Sequence, residues 1–119
     1  MKANNIILEK SYKFGLRIVK LYLFLQAKRK EYHLSVQVRR AGTSIGANTE
    51  EVIGASSRKD FKSKMDIAYK EARETHYWLR LLRDSGILDV RIANSLIADV
   101  EEILKIFGSI IKSIKGDNS

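Results

Sequence analysis

Arg39-Arg40-Ala41-Gly42-Thr43-Ser44-Ile45-Gly46-Ala47-Asn48-Thr49-Glu50-Glu51 is compatible with a helix throughout, yet it is small and polar where a bundle helix is usually greasy. On a helical wheel Val38, Ala41, Ile45 and Val52 form an apolar row. Arg40, Ser44, Ala47 and Glu51 project along one side, with Asn48 between that side and the apolar row. Side chains this small let neighbouring helices approach closely, and any polar group they bury must find a partner. Gly42-x-x-x-Gly46 has the spacing of a membrane helix-packing motif, but the flanking arginines and glutamates exclude a lipid setting and leave close packing between helices in water.

On either side of this stretch, apolar spacings of three and four recur in four blocks, with no sustained strand-like alternation. The pattern predicts helices at about 6–30, 35–54, 59–84 and 89–115, with ends uncertain by roughly 2–4 residues. Ser35 and Ser57 stand at N-cap positions, and Gly54, Gly86 and Gly116 where left-handed helix ends favour glycine. Connections as short as Ala55-Ser56-Ser57 and Ser85-Gly86 join antiparallel neighbours. The expected form is an all-α, up-down-up-down four-helix bundle, a single domain over residues 1–119. The sequence has no proline, as long helices require, and no cysteine, which removes disulfides, thiol nucleophiles and thiolate metal sites and fits a reducing cytoplasm. No apolar run reaches the roughly 18 residues of a membrane span. Lys10, Lys13 and Arg17 break up the first helix, so neither a signal nor a transit peptide is expected.

The first helix carries two apolar rows. Tyr12, Leu16, Val19, Leu23 and Ala27 form one, and Phe14, Ile18, Leu21 and Leu25 the other. With Tyr22 they cover about two-thirds of the circumference, against the roughly 100° stripe that a bundle helix needs for its own core. Such a helix is expected to be covered on two sides, so the surplus row implies self-association, with a wide core face as the alternative. The remaining arc carries Lys10, Lys13, Arg17, Lys20 and Lys28, interrupted by Phe24.

The formal charge of +8 points to polyanionic partners, and its placement matters more than its sum. Residues 1–31 hold eight Lys/Arg against two Asp/Glu, residues 58–86 eight against five, and residues 87–119 four against five. On the third helix Lys62, Lys70, Arg73 and Arg80 share a face with Tyr69 and Tyr77, a mixture suited to phosphate neutralisation and base stacking, although Asp66 lies within it. Nothing resembles a recognition helix, a zinc finger or an RNA-binding sheet, so contact without base reading is expected. An ordinary solvated helix face is the competing account.

Glu71 and Glu74 occupy the arc of Ile67, Trp78 and Leu81, where a helix would normally bury leucine. A buried carboxylate needs a cation or several donors, and Arg40 is the candidate across the interface. Arg40, Ser44, Asn48, Glu51, Glu71 and Glu74 therefore read as a polar network that fixes helix register. The rival reading is a carboxylate pair for acid/base work, disfavoured because no nucleophile accompanies it. No metal site is expected: the glutamates lie five and two residues before His76, missing the Glu-x-x-His spacing of di-iron bundles, and His33 has no carboxylate-rich context. With no phosphate-cradling glycine loop and no Gly-x-Ser-x-Gly elbow, neither catalytic residues nor a cofactor are expected.

Two blocks carry a family resemblance over nearly the whole chain. Gln37-Val38-Arg39-Arg40-Ala41-Gly42-Thr43-Ser44-Ile45-Gly46-Ala47-Asn48, with Glu51, resembles an Arg-Ala-x-x-Ser-Ile-x-x-Asn run. Asp60-Phe61 leads to Ile67-Ala68-Tyr69-Lys70-Glu71-Ala72-Arg73-Glu74-Thr75-His76-Tyr77-Trp78-Leu79, similar to Ala-x-x-Glu-x-x-Glu-Thr-x-Tyr-Trp-Leu. Together they resemble the four-helix bundle protein family, encoded in intervening sequences of bacterial large-subunit ribosomal RNA and once called ribosomal proteins. Val52 departs from the glycine that many members carry there. The resemblance implies a bundle assembled into a homopentameric ring without known enzymatic activity. It also implies likeness to the accessory protein of diversity-generating retroelements, a basic pentamer that binds nucleic acid and a reverse transcriptase. The expected function is an oligomeric RNA- or DNA-binding bundle in which Lys10, Lys13, Arg17, Lys20, Lys62, Lys70, Arg73 and Arg80 contact phosphates. The alternative is a protein-docking scaffold, for example an accessory subunit of a reverse transcriptase.

Overall fold

Four stretches with apolar residues at helical period, each bounded by polar or glycine-containing connections, fold into four long helices. The computed structural model describes residues 2–117, with side chains from 5 to 116. Helix α1 spans Lys2–Phe24 and runs into a π-helical turn at Leu25–Arg29; α2 spans Leu34–Ile53, α3 Arg58–Asp84 and α4 Val90–Asp117. The described residues contain no strand. Helix α1 packs on α2 and α4, and α3 packs on the same two, so the four close around one core in a body of 48 × 21 × 21 Å. Among the described residues no helix is long and apolar enough to cross a membrane.

The helix ends follow local chemistry, in part other than the chemistry expected. Ser57 caps α3 by accepting from the Asp60 N–H at 3.0 Å, and Asp60 Oδ2 accepts from the Ser56 N–H at 3.1 Å, a reciprocal pair that ties down the α2–α3 connection. Gly86, at φ +78°, ends α3 in the left-handed region that glycine enters without steric cost. Ser35, by contrast, is no cap. It is buried inside α2, and the N-terminus is served by Glu31, whose carboxylate accepts from the N–H groups of Ser35 at 2.7 Å and His33 at 3.2 Å. Gly54 sits at φ −92° and Gly116 lies within α4, so neither provides a left-handed end. The left-handed position that periodicity missed is Lys30 at φ 51°, which stops the π turn five residues beyond the last regular turn of α1.

Helix α1 is seated by the small residues of α2. A Cβ at Gly42 would come within 2.8 Å of Ile18 Cγ1 and 2.9 Å of Ile18 Cγ2, contacts no real side chain tolerates. A Cβ at Gly46 would lie 3.4 Å from the Ser11 carbonyl oxygen. Phe14, Ile18, Leu21 and Leu25 thereby enter the core with Val38, Ile45 and Val52 of α2. Val52 is 3% exposed, so the residue that replaces the family's glycine is an ordinary core contact. The second row of α1 stays outside: Tyr12, Leu16, Val19 and Leu23 are 63%, 49%, 42% and 58% exposed. A wide core face is thus excluded within one chain, because the row that would make it wide points to solvent.

Candidate functional site

The cations of α1 are largely committed to neighbouring acids. Lys10 Nζ lies 2.6 Å from Glu102 Oε1 of α4, and Arg17 donates to Asp99 Oδ2 at 2.5 Å and to Ser95 Oγ at 3.1 Å. Lys13 donates to Glu9 Oε1 at 2.7 Å, one turn back along α1. These bonds raise the Lys10 pKa, through the hydrogen bond to Glu102, and lower that of Glu9, through the one from Lys13. Both directions favour the charged forms. Lys20 is exposed without an acid partner among the described residues.

Helix α3 differs. Lys62 is tied to Asp66 at 3.0 Å, but Lys70 and Arg73 stand exposed on the outer face with no carboxylate partner among the described residues, and Arg80, also exposed, acts on Asp84 through its charge alone. Tyr77, 47% exposed, lies on the same face, and the Arg80 guanidinium sits 5.9 Å from its ring centroid while Arg80 Nε donates to the His76 carbonyl at 3.4 Å. Tyr69 leaves this group: it is half-buried and packs against the core. The acids nearest the row are themselves engaged, Asp66 by Lys62 and Asp84 by Arg83 at 2.8 Å. The result is a strip of mostly uncompensated positive charge on the same face as an accessible aromatic ring.

Between α2 and α3, Arg40 Nη2 donates to Glu74 Oε1 at 2.6 Å and Nη1 to Glu71 Oε2 at 3.4 Å, with Arg40 Nε to Gln37 Oε1 at 3.4 Å. One guanidinium thus bridges two carboxylates one turn apart. Burial pushes the Glu71 carboxyl above its ordinary range, and the Arg40 hydrogen bond holds Glu74 below it. The acids are half-buried rather than fully buried, because the α2–α3 seam opens to solvent at Arg40. Ser44 and Asn48 do not cross the seam: Ser44 Oγ donates to the Arg40 carbonyl at 2.6 Å and Asn48 Nδ2 to the Ser44 carbonyl at 2.8 Å. Glu51 stands apart and pairs with Lys64 of α3 at 3.7 Å, a partner that the sequence pattern did not single out. The Trp78 indole N–H is buried without a hydrogen-bond partner among the described residues, and its ring meets Tyr77 edge-on at 5.1 Å.

His76 Nε2 lies 3.1 Å from Glu101 of α4, and Arg39 stacks on Tyr22 at 4.8 Å from the ring centroid; sequence spacing gave no cue for either cross-helix contact. No group of three or more His, Cys, Asp or Glu suited to a metal ion occurs among the described residues. A cavity of about 840 Å³ opens near the α2–α3 connection between Phe61, Ile53, Ile106 and Ile110, and neither glutamate lines it.

The chain is thus an all-α four-helix protein with one arginine clamped between two glutamates of the next helix. The model of the 23S rRNA-intervening sequence protein family matches residues 3–109, and the chain belongs to that family. The crystal structure of a protein of unknown function from the S23 ribosomal protein family of Bacteroides thetaiotaomicron is 46% identical. It covers 92% of this chain and 98% of its own, with a TM-score of 0.91. No curated protein is significantly similar to the chain.

Proposed function

We propose that the protein is a non-enzymatic, cytoplasmic bundle that assembles with copies of itself and binds RNA or DNA through cationic helix faces, without strong sequence selectivity. The observation that carries this reading is the outer row of α3, where Lys70, Arg73 and Arg80 share an exposed face with Tyr77 and Lys70 and Arg73 have no acid partner among the described residues. Phosphates would take the place of those acids, with a counterion released at each contact. The up-down-up-down order is supported by pairs whose numbers rise on one helix and fall on the next: Lys10 with Glu102 and Arg17 with Asp99, Arg40 with Glu74 and Glu51 with Lys64, His76 with Glu101 and Arg83 with Asn94. Self-association is supported by the uncovered row Tyr12, Leu16, Val19 and Leu23, flanked by a groove of about 350 Å³ floored by Gly15, Gly46 and Ala47. A pentameric ring is the form that the family resemblance favours.

Titration of labelled RNA and DNA over a range of salt concentrations tests the reading. Log affinity is expected to fall with log salt at about 0.7 per phosphate contact on single strands. Absent or salt-insensitive affinity for both polymers removes it and leaves the second reading, a protein-docking scaffold such as an accessory subunit of a reverse transcriptase. The exposed apolar row of α1 favours that second reading, since a partner helix could cover it as well as another copy.

A further inference from the structure

The end of the bundle formed by the α1–α2 and α3–α4 connections carries a second concentration of charge. Lys28, Arg29 and Lys30 follow one another where α1 widens into its π turn, and Arg29 Nη2 donates to the Gly86 carbonyl at 3.3 Å, which brings the two connections together. Lys28 and Lys30 are exposed and have no acid partner among the described residues. The acids at this end are all engaged with the backbone or another side chain. Glu31 caps α2, Asp89 caps α4 by accepting from the N–H groups of Arg91 at 3.0 Å and Ile92 at 3.3 Å, and Asp84 is held by Arg83. Each capping carboxylate is thus spent on the positive end of a helix rather than on a lysine. Tyr32, 52% exposed, stands two residues beyond Lys30 in the same connection.

We propose that this end is a binding site for single-stranded nucleic acid, with Lys28 and Lys30 on phosphates and Tyr32 stacking on an unpaired base. The proposal rests on the nucleic-acid reading above and adds a site separate from the α3 row. Single strands are the fitting ligand for two reasons. An aromatic ring on a surface connection can stack only on a base freed from a duplex, and the end face, about 21 Å across, offers no helix or ribbon that could enter a groove. The left-handed backbone of Lys30 is the kind of conformation that glycine adopts more easily, yet an exposed lysine occupies it two residues before Tyr32.

The test is fluorescence anisotropy of the full chain with a short labelled single-stranded RNA, the matching DNA and the duplex of the same sequence. Lys30→Gly removes the charge while easing the backbone, so a loss of affinity in this variant does not report misfolding. Combined with Lys28→Gln, it is expected to lower the salt slope on single strands by about 1.4, two contacts at 0.7 each. Tyr32→Ala is expected to weaken single-strand binding about tenfold, with Tyr32→Phe retaining it and the duplex barely affected. Wild-type affinity and slope in the Lys28→Gln/Lys30→Gly protein, alongside lost binding in a Lys70→Gln/Arg73→Gln protein, would overturn this site and leave the α3 reading standing. Duplex affinity equal to that for single strands, with Tyr32→Ala silent, would also overturn it. If the wild-type protein binds none of the three polymers, both readings fall together.

Discussion

Helices α1 and α3 are both rich in lysine and arginine, yet they present opposite surfaces. On α1, Lys10 and Arg17 reach across to Glu102 and Asp99 of α4 and Lys13 folds back on Glu9, so what remains outside is the apolar row Tyr12, Leu16, Val19 and Leu23 with Lys20 the one unpaired cation beside it among the described residues. On α3 most apolar residues go inward, Ile67 excepted, and Lys70, Arg73 and Arg80 remain outside on the face of Tyr77. A similar number of cations in the sequence therefore leaves different charge at the surface. The difference comes from α4, whose Asp99 and Glu102 lie opposite Arg17 and Lys10 of α1, whereas its polar pairs with α3 are His76–Glu101 and Arg83–Asn94. A lysine stripe identifies a polyanion site only after the acids of every adjacent helix have been placed.

The largest expected effect strikes the apolar side of this contrast. Replacing Leu16 and Leu23 together with Asp removes two side chains that assembly would bury, each contributing about 2 kcal/mol. Sedimentation velocity should show self-association weakened roughly a thousandfold, with the monomer's helical circular dichroism intact. A wild-type protein that sediments as one copy at high concentration would refute the role given to this row. Next comes the seat of α1: Gly42→Val drives a branched side chain into Ile18, and urea unfolding should report a loss of about 2 kcal/mol.

A smaller effect separates the two sets of cations directly. Lys70→Gln with Arg73→Gln should lower the salt slope of single-strand binding by about 1.4, while Lys10→Gln with Lys13→Gln should leave it nearly unchanged, because those lysines already have acid partners. Equal losses from both pairs would erase the distinction between the helices. The smallest effect concerns the clamp. Glu74 is held below its ordinary range by Arg40, so it stabilises the fold at neutral pH and loses that contribution as pH falls through its depressed value. Glu71, raised by burial, favours the fold when protonated and loses that contribution as pH rises through its raised value. At pH 7, Glu74→Gln should cost about 0.5 kcal/mol, a figure reduced for solvent screening, and Glu71→Gln should be neutral or slightly stabilising in thermal unfolding.

Much of the candidate site was legible in advance because it depends on helical period alone. The spacing of Glu71 and Glu74 put both on one face, the wheel of α2 put Arg40 on the side facing them, and their meeting needed only that the two helices be neighbours. Ser44 and Asn48 carry the same wheel position but short side chains, and a hydroxyl or amide one turn above a carbonyl finds it before it can reach another helix. Tyr69 looked equivalent to Tyr77 on charge context, yet packing drew it inward. Helical period placed Lys28 at the end of the basic arc of α1 but gave no cue for Arg29, Lys30 and Tyr32, which follow it through a π turn and a left-handed lysine.

What the chain's own pattern determined was the number of helices, their type, their approximate extents and the two apolar rows of α1, since these follow from short-range sterics and the 3.6-residue repeat. The family follows from the same local blocks. Only the tertiary structure decided which row of α1 is buried, which lysines are neutralised and which acids are consumed by helix ends. Those outcomes depend on contacts between residues as far apart as Arg17 and Asp99, and no local periodicity encodes the register at which two helices meet.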